Sequence, residues 1–382
     1  MYRYTLVFLY PKTDIHGGFT VKKTISLIIA AHLIMTCCLC ACNPGNVQPS
    51  AEPDRLQIVT TVFPEYDWVR NILGDNPAKA DVTMLLDTGV DLHSFQPTAE
   101  DILKISTCDL FIYVGGESDE WVADALQEAT NKDMTVINLL DVLGDAVKEE
   151  EVVEGMQEEE HDHEHEEDHD ESLGEHEEDH DEGLEEHEED HDDHEEEHEH
   201  GEGEVEYDEH VWLSLKNAAV LVSSICDAIQ KIDPDNAGSY KKNAEAYIEK
   251  LNALDAEYQA AVSAASTDTL LFGDRFPFRY LVDDYGLSYY AAFVGCSAET
   301  EASFETVTFL ARKVDELSLP AVMTIEGTDH RIAETIVSNT QTNDQKILTL
   351  DSMQSVTAKD VENGTTYLSV MENNLSVLKD AL

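Results

Sequence analysis

The chain has 382 residues, 42% of them apolar, enough for two domains and a sizeable core. Its 23 lysines and arginines face 81 aspartates and glutamates, for a formal net charge of −58. Such a surface repels phosphate backbones and anionic headgroups, which excludes nucleic acid as a partner, and it attracts cations.

Residues 1–42 read as a targeting segment. Lys22 and Lys23 precede an apolar run from Ile25 to Ala41, short for a transmembrane helix of about 20 residues and suited to a secretory signal. Leu39-Cys40-Ala41-Cys42 resembles a bacterial lipobox, which makes Cys42 the expected site of lipidation. The first twenty residues are foreign to a signal, so the expected translation start lies near Val21. Once the signal is removed, Cys108, Cys226 and Cys296 remain beyond Cys42. They form an odd set without C-x-x-C spacing, which argues against a disulfide scaffold and against a cysteine zinc site.

Residues 43–55, with Pro44, Gly45, Pro49 and Pro53, have the composition of a tether. Strand patterns follow from Leu56, over Ala80–Leu86, Asp109–Val114 and Thr135–Asn138. Helical patterns alternate with them from Pro64 to Leu73, over Thr98–Ile105 and over Glu120–Ala129. Beyond an acidic insert, Lys216–Ile232 predicts a helix that stops at Asp233-Pro234. Tyr240, Ala244, Tyr247, Leu251, Leu254, Tyr258 and Val262 then keep helical spacing to about Ala265, a helix long enough to bridge two lobes. The alternation restarts with Thr269–Phe272, Tyr280–Tyr285 and Tyr289–Phe293, a helix over Ser303–Glu316, Ala321–Ile325, a helix over Ile332–Thr340, and Lys346–Leu350. The fold class expected is α/β, two parallel-sheet lobes joined by one long interlobe helix, with the binding site in the cleft. The boundaries expected are 56–232 for the first lobe, 233–266 for the helix and 267–382 for the second lobe.

The insert, 157–204, holds 29 acidic residues and no lysine or arginine, half of the net charge. Three copies of E-H-E-E-D-H-D-[ED] begin at Glu164, Glu175 and Glu186 with a period of 11 residues. Only Leu173 and Leu184 recur as apolar residues, so no core forms and the segment is expected to be disordered without metal. Each copy contains H-E-x-x-H, the zinc-protease spacing, but no apolar face is there to bury a catalytic helix. A solvated charge run accounts for the carboxylates and leaves the histidines unexplained. Imidazole suits zinc, copper and nickel. His161, His163, His165, His169, His176, His180, His187, His191, His194, His198 and His200 therefore read as a weak, multivalent metal-capture loop.

Two further histidines lie in focused settings. His93 sits in Gly89-Val-Asp-Leu-His93-Ser-Phe-Gln-Pro97-Thr98, a loop after a strand, where open α/β sheets bind ligands. His210 sits in Asp208-Glu-His210-Val-Trp-Leu213, where the chain re-enters an apolar pattern. Together these segments resemble the metal-binding family of ABC-transporter substrate-binding lipoproteins, the zinc and manganese receptors. Gly89, His93, Phe95, Pro97, Thr98 and Asp101 match its first ligand motif, and Asp208, His210, Val211, Trp212 and Leu213 match its second. The segment Asp233–Leu251 matches its interlobe helix, and the resemblance extends from Leu56 to Leu382, more weakly in the second half.

The resemblance implies one metal in the cleft, held by His93, His210 and ligands from the second lobe. Arg275 stands where the third ligand is expected, and arginine cannot ligate a cation. Asp274 and Asp351 are the substitutes expected, with Glu326 and His330 as further possibilities. The His-rich insert favours Zn2+ as the transported ligand, with Mn2+ open. Capture is expected to weaken as the pH drops through about 6.5. The function expected is a monomeric receptor, lipid-anchored on the outer face of the cytoplasmic membrane, that delivers zinc to the ABC permease of a metal importer and is not an enzyme. Three rivals remain at this point: a manganese receptor of the same family, a surface zinc buffer or adhesin built on the insert alone, and a zinc hydrolase. The last lacks a separate general base and a G-x-S-x-G motif.

Overall fold

The computed structural model describes residues 55–74, 80–157, 206–297, 301–327 and 329–382. The targeting segment with Cys42, the tether up to residue 54, and the insert from residue 158 with its eleven histidines lie outside the described residues.

In the first half, strands β1 (Leu56–Thr60), β2 (Ala80–Met84), β3 (Leu110–Tyr113) and β4 (Thr135–Asn138) alternate with helices α1 (Phe63–Leu73), α2 (Ala99–Thr107) and α3 (Trp121–Gln127). Helix α4 (Leu139–Leu143) follows, and after the insert come α5 (Leu215–Ile232) and α6 (Ala237–Ala264). The second half runs β5 (Thr269–Phe276), α7 (Arg279–Tyr285), β6 (Ser288–Val294), α8 (Phe304–Leu317), β7 (Ala321–Ile325), α9 (Arg331–Ser338), β8 (Lys346–Leu350), α10 (Ala358–Glu362) and α11 (Tyr367–Ala381). Tyr280–Tyr285, set among strand segments by its sequence, belongs to the helical connection that parallel pairing of β5 with β6 requires. Helices α10 and α11 have no counterpart in the sequence expectations.

Each half forms one parallel four-stranded sheet, ordered β2-β1-β3-β4 and β6-β5-β7-β8. In both, the strand order reverses beside the central strands, which opens a crevice at their carboxyl ends. Helix starts follow local chemistry. Thr98 and Asp101 cap α2 reciprocally, and the Ser214 hydroxyl accepts from Asn217 N–H at the head of α5. Helix α6 has 28 residues, about 42 Å of rise. Its apolar stripe of Tyr240, Ala244, Tyr247, Leu251, Leu254 and Tyr258 is buried against α5, α1 and α11.

A single apolar core joins the two sheets. It runs from Ile58, Trp68 and Phe111 through Trp212 and Tyr258 to Phe272, Met323, Leu350 and Tyr367. A smaller cluster, with Leu271, Val314 and Ile336, lies under α8 and α9 on the outer face of the second sheet. Polar bonds cross the same core. Trp212 Nε1–H donates to the Ser352 carbonyl at 2.8 Å, and the Tyr367 hydroxyl donates to the Trp212 carbonyl at 2.6 Å. Asp67 of α1 accepts from Tyr247 of α6 at 3.2 Å and from the Tyr367 N–H at 3.3 Å. Burial pushes the Asp67 carboxyl up to about 6, against those hydrogen bonds.

Tyr367→Phe leaves the fully buried Trp212 carbonyl without this donor, which should cost about 1–3 kcal/mol. Urea denaturation read by tryptophan fluorescence checks this loss.

Candidate metal centre

The site is assembled from loops at the carboxyl ends of strands in both sheets. His93 lies in a single 3-10 turn after β2, Leu92–Ser94, whose first N–H groups need a cap. Asp91 supplies it, accepting from His93 N–H at 3.0 Å. His210 precedes a second such turn, Val211–Leu213, and is held before it by Asp208, which accepts from His210 N–H at 2.8 Å. The same Asp208 oxygen lies 3.0 Å from His210 Nδ1. A carboxylate can only accept, so Nδ1 carries the proton and the Nε2 lone pair is left for a cation. The Nδ1 of His93 is held by Ser118 Oγ at 2.7 Å, with Glu209 Oε2 at 3.5 Å.

Both Nε2 atoms thus point into one space, 3.2 Å apart. Two imidazole nitrogens bound to one tetrahedral zinc at the usual bond lengths stand about 3.3 Å apart, so the pair is set for one ion. Cys296, just after β6, completes a cluster in which the three donor atoms lie within 4.8 Å of one another. Gln354 borders the same space. With its amide nitrogen turned to Asp91 Oδ1 at 3.1 Å, its oxygen lies 3.2 Å from His210 Nε2.

Burial, the nearby His210 and Arg275 hold His93 down to about 3, so it is neutral throughout the physiological range. Burial also disfavours charge on His210, but the contact with Asp208 outweighs it and keeps its pKa above the ordinary histidine value. Beneath the pair lie buried carboxyls. Glu209 accepts from Ser118 N–H at 2.8 Å and is pushed by burial up to about 7. Asp119 accepts from Gly115 N–H at 3.0 Å and is pushed by burial up to about 6. Gly116 permits this packing: it has φ +84°, and a Cβ there would lie 2.3 Å from Glu209 Oε1.

The structure brings His93 and His210 together and places the second-lobe candidates elsewhere in the crevice. Asp274 sits in a bulge of β5, where its oxygens accept from Arg275 N–H at 3.0 Å and from the β7 residue Ile325 N–H at 3.2 Å. Asp351 accepts from Met353 N–H at 2.8 Å, which supports a turn in which Met353 has φ +66°. Glu326 accepts from the Ser352 N–H and hydroxyl, both at 2.7 Å, and from Gln354 N–H at 3.1 Å. His330 stands at the head of α9 in a left-handed conformation. Among the described residues only His93, His210 and Cys296 form a cluster with metal-ligand spacing. Arg275 is ion-paired with Asp91 and donates to the Ser297 carbonyl at 3.4 Å, tying the His93 loop to the Cys296 loop. Cys296, Gln354 and Ser118 were not foreseen. Their one signal in the sequence is a place shortly after a strand or a predicted strand, where such sheets present ligands.

Two parallel sheets flanking a crevice that holds a histidine pair, bridged by one long helix, define a two-lobed α/β protein of the metal-receptor type of fold. The chain belongs to the ZnuA family, zinc-uptake complex component A periplasmic, which it matches over residues 58–381. It is 31% identical over 359 residues to the zinc-binding lipoprotein AdcA of Streptococcus pneumoniae serotype 4, covering 94% of this chain and 60% of that protein. It is 28% identical over 361 residues to the high-affinity zinc uptake system protein ZnuA of Bacillus subtilis, covering 94% of this chain and 98% of that one. The crystal structure of the Zn(II)-bound ZnuA-like domain of S. pneumoniae AdcA superposes with a TM-score of 0.60 at 27% identity, over 86% of this chain and 98% of that domain. The chain spans 56–60% of the length of the streptococcal AdcA relatives it matches.

Asp208→Asn removes the charge that favours the His210 imidazolium. The His210 pKa should therefore fall, while His93 stays neutral down to about 3, as read from an NMR pH titration of the imidazole nitrogens.

Proposed function

We propose that this protein is an extracytoplasmic zinc receptor that delivers the ion to an ABC importer and performs no catalysis. The observation that carries the reading is the facing pair of Nε2 atoms 3.2 Å apart, each histidine anchored through its own Nδ1. Anchoring fixes the tautomer and ring orientation before an ion arrives, the usual device of imidazole metal sites. Two imidazoles favour zinc over manganese, which prefers oxygen donors. The relatives named for zinc binding and zinc uptake support the same cargo, and the relative named a lipoprotein supports Cys42 as a membrane anchor on the outer face.

The His-rich insert serves in this reading as a loading loop. Around it, Glu149 and Tyr207 form an antiparallel bridge, and Asp208 N–H donates to the Lys148 carbonyl at 2.9 Å. The chain before the insert therefore pairs at 148–150 with the chain that leaves it at 206–208, and this return leads within a few residues to His210. The insert concentrates zinc, the cleft holds one ion, and docking on the permease distorts the crevice for release. Asp274 and Asp351 remain proposed ligands of the second lobe for any rearrangement that accompanies metal binding.

Calorimetric zinc titration with manganese competition, on the chain with and without 157–204, tests the division of labour. One tight site should survive the deletion while several weak ones vanish. Loss of all binding with the insert would make the protein a surface buffer. His93→Ala and His210→Ala should each cost more than the roughly 10–100-fold that loss of a positioning residue costs. Replacement of any single insert histidine should change the tight site little.

The pH dependence follows from His210. Its imidazolium has no lone pair, so zinc must displace a proton below the raised His210 pKa and none from that residue above it. Zinc binding should release about one more proton per ion below that pKa than above it, so the fall of affinity with pH should steepen there by about a further tenfold per pH unit. Calorimetry in two buffers of different ionisation enthalpy measures this count.

A further inference from the structure

We propose that Cys296 is a ligand of the ion in the cleft, bound as a thiolate beside His93 and His210, and that it biases the site toward zinc and against manganese. The inference rests on the zinc reading of the cleft given above. It revises the expectation that no cysteine takes part in metal binding, which followed from the absence of C-x-x-C spacing.

Four observations converge. The Cys296 sulfur lies within 4.8 Å of both imidazole donors, the only such three-residue cluster among the described residues. The loop carrying it is shaped to come this close. Gly295 has no room for a side chain, because a Cβ there would lie 2.9 Å from the Phe276 carbonyl and 3.2 Å from His210 Cε1. The carboxylates expected to complete the site each hold neighbouring backbone instead: Asp274 the ends of β5 and β7, Asp351 and Glu326 the 352–354 turn. Finally, Arg275 places a fixed positive charge between the His93 and Cys296 loops, partly matched by Asp91. Two neutral imidazoles bring no anionic donor to an ion, and burial with the Glu150, Asp208 and Glu209 carboxylates keeps the Cys296 thiol protonated until a cation binds it, when the thiolate supplies that donor.

Cys108 and Cys226 are placed differently. Cys108 is buried against the Ile105 carbonyl and Met134, and Cys226 is buried beside Gln230 on α5. On binding, the Cys296 S–H bond breaks, the zinc–sulfur bond forms and the proton leaves to solvent. Sulfur is a soft donor that suits zinc and disfavours manganese, which prefers carboxylate and water oxygen. With its amide turned as above, the Gln354 oxygen lies 3.2 Å from His210 Nε2, beside the space between the imidazoles.

The test uses cobalt(II) as the spectroscopic probe, on the full chain and on Cys296→Ser. One equivalent of cobalt should give a sulfur-to-cobalt charge-transfer band in the full chain that Cys296→Ser lacks. The insert histidines contain no sulfur and cannot produce it. Zinc affinity should fall more than about tenfold in Cys296→Ser, while manganese affinity changes little. If wild-type protein binds zinc tightly through His93 and His210 without such a band, or if Cys296→Ser keeps both band and affinity, Cys296 is not a ligand and the receptor reading stands. If His93→Ala and His210→Ala leave tight zinc binding intact, the cleft reading itself fails and this inference goes with it. Should Cys296→Ser misfold, alkylation of the unmutated protein decides. One equivalent of zinc should slow iodoacetamide modification at Cys296, located by peptide mass spectrometry, and manganese should not. Equal protection by both metals, or by neither, overturns the proposal.

Discussion

The position of His210 depends on the hydrogen bonds that run through Trp212. That indole donates to Ser352 in the second lobe, and its carbonyl accepts from Tyr367 at the head of the last helix. Two residues before His210, the Asp208 carbonyl accepts from Tyr280 at 2.8 Å, again from the second lobe. Buried bonds of this kind are costly to break, because each lost partner leaves a polar group in a low-dielectric interior. A histidine that belongs to the first lobe by sequence is therefore aimed by the second. The histidine geometry and the joining of the lobes are one construction.

The charge balance of the molecule is organised around the same place. A chain with a net charge of −58 has no shortage of carboxylates, and a site open to all of them would take any divalent ion. The crevice instead commits its carboxylates to backbone N–H groups, to His210 Nδ1 and to Arg275, and leaves imidazole nitrogen facing the space between the loops. Deeper in, burial raises the Glu209 carboxyl to about 7 and the Asp119 carboxyl to about 6, and a nearby cation favours the ionised form of both.

Much of this was legible in the sequence, and for identifiable reasons. The two sheets showed through because buried parallel strands such as Leu110–Tyr113 read as apolar runs between turn residues. The long helix showed through because its six buried positions keep helical spacing over 28 residues. His93 and His210 stood out because each sits inside a contiguous motif. Cys296 was missed because nothing adjacent in the chain marks it, and its neighbours come from loops about 90 and 200 residues away. Asp274 and Asp351 illustrate the converse difficulty. A carboxylate just after a strand looks the same in sequence whether it faces a cation or satisfies an N–H left over by a bulge or turn. The helix α11, which carries Tyr367, begins behind a Thr366 cap, a local signal too brief to stand out without its tertiary partners.

The continuous core has a consequence for timing. A receptor that swings shut on its ligand can swing open again at a rate set by thermal motion of a hinge. Here the apolar contacts run unbroken from Ile58 to Leu350 and Tyr367, so parting the lobes means exposing core to water. If the crevice holds an ion, as proposed, its dwell time is governed by breaking its bonds to the protein in turn, and whatever shortens that dwell must bend a body that has little give.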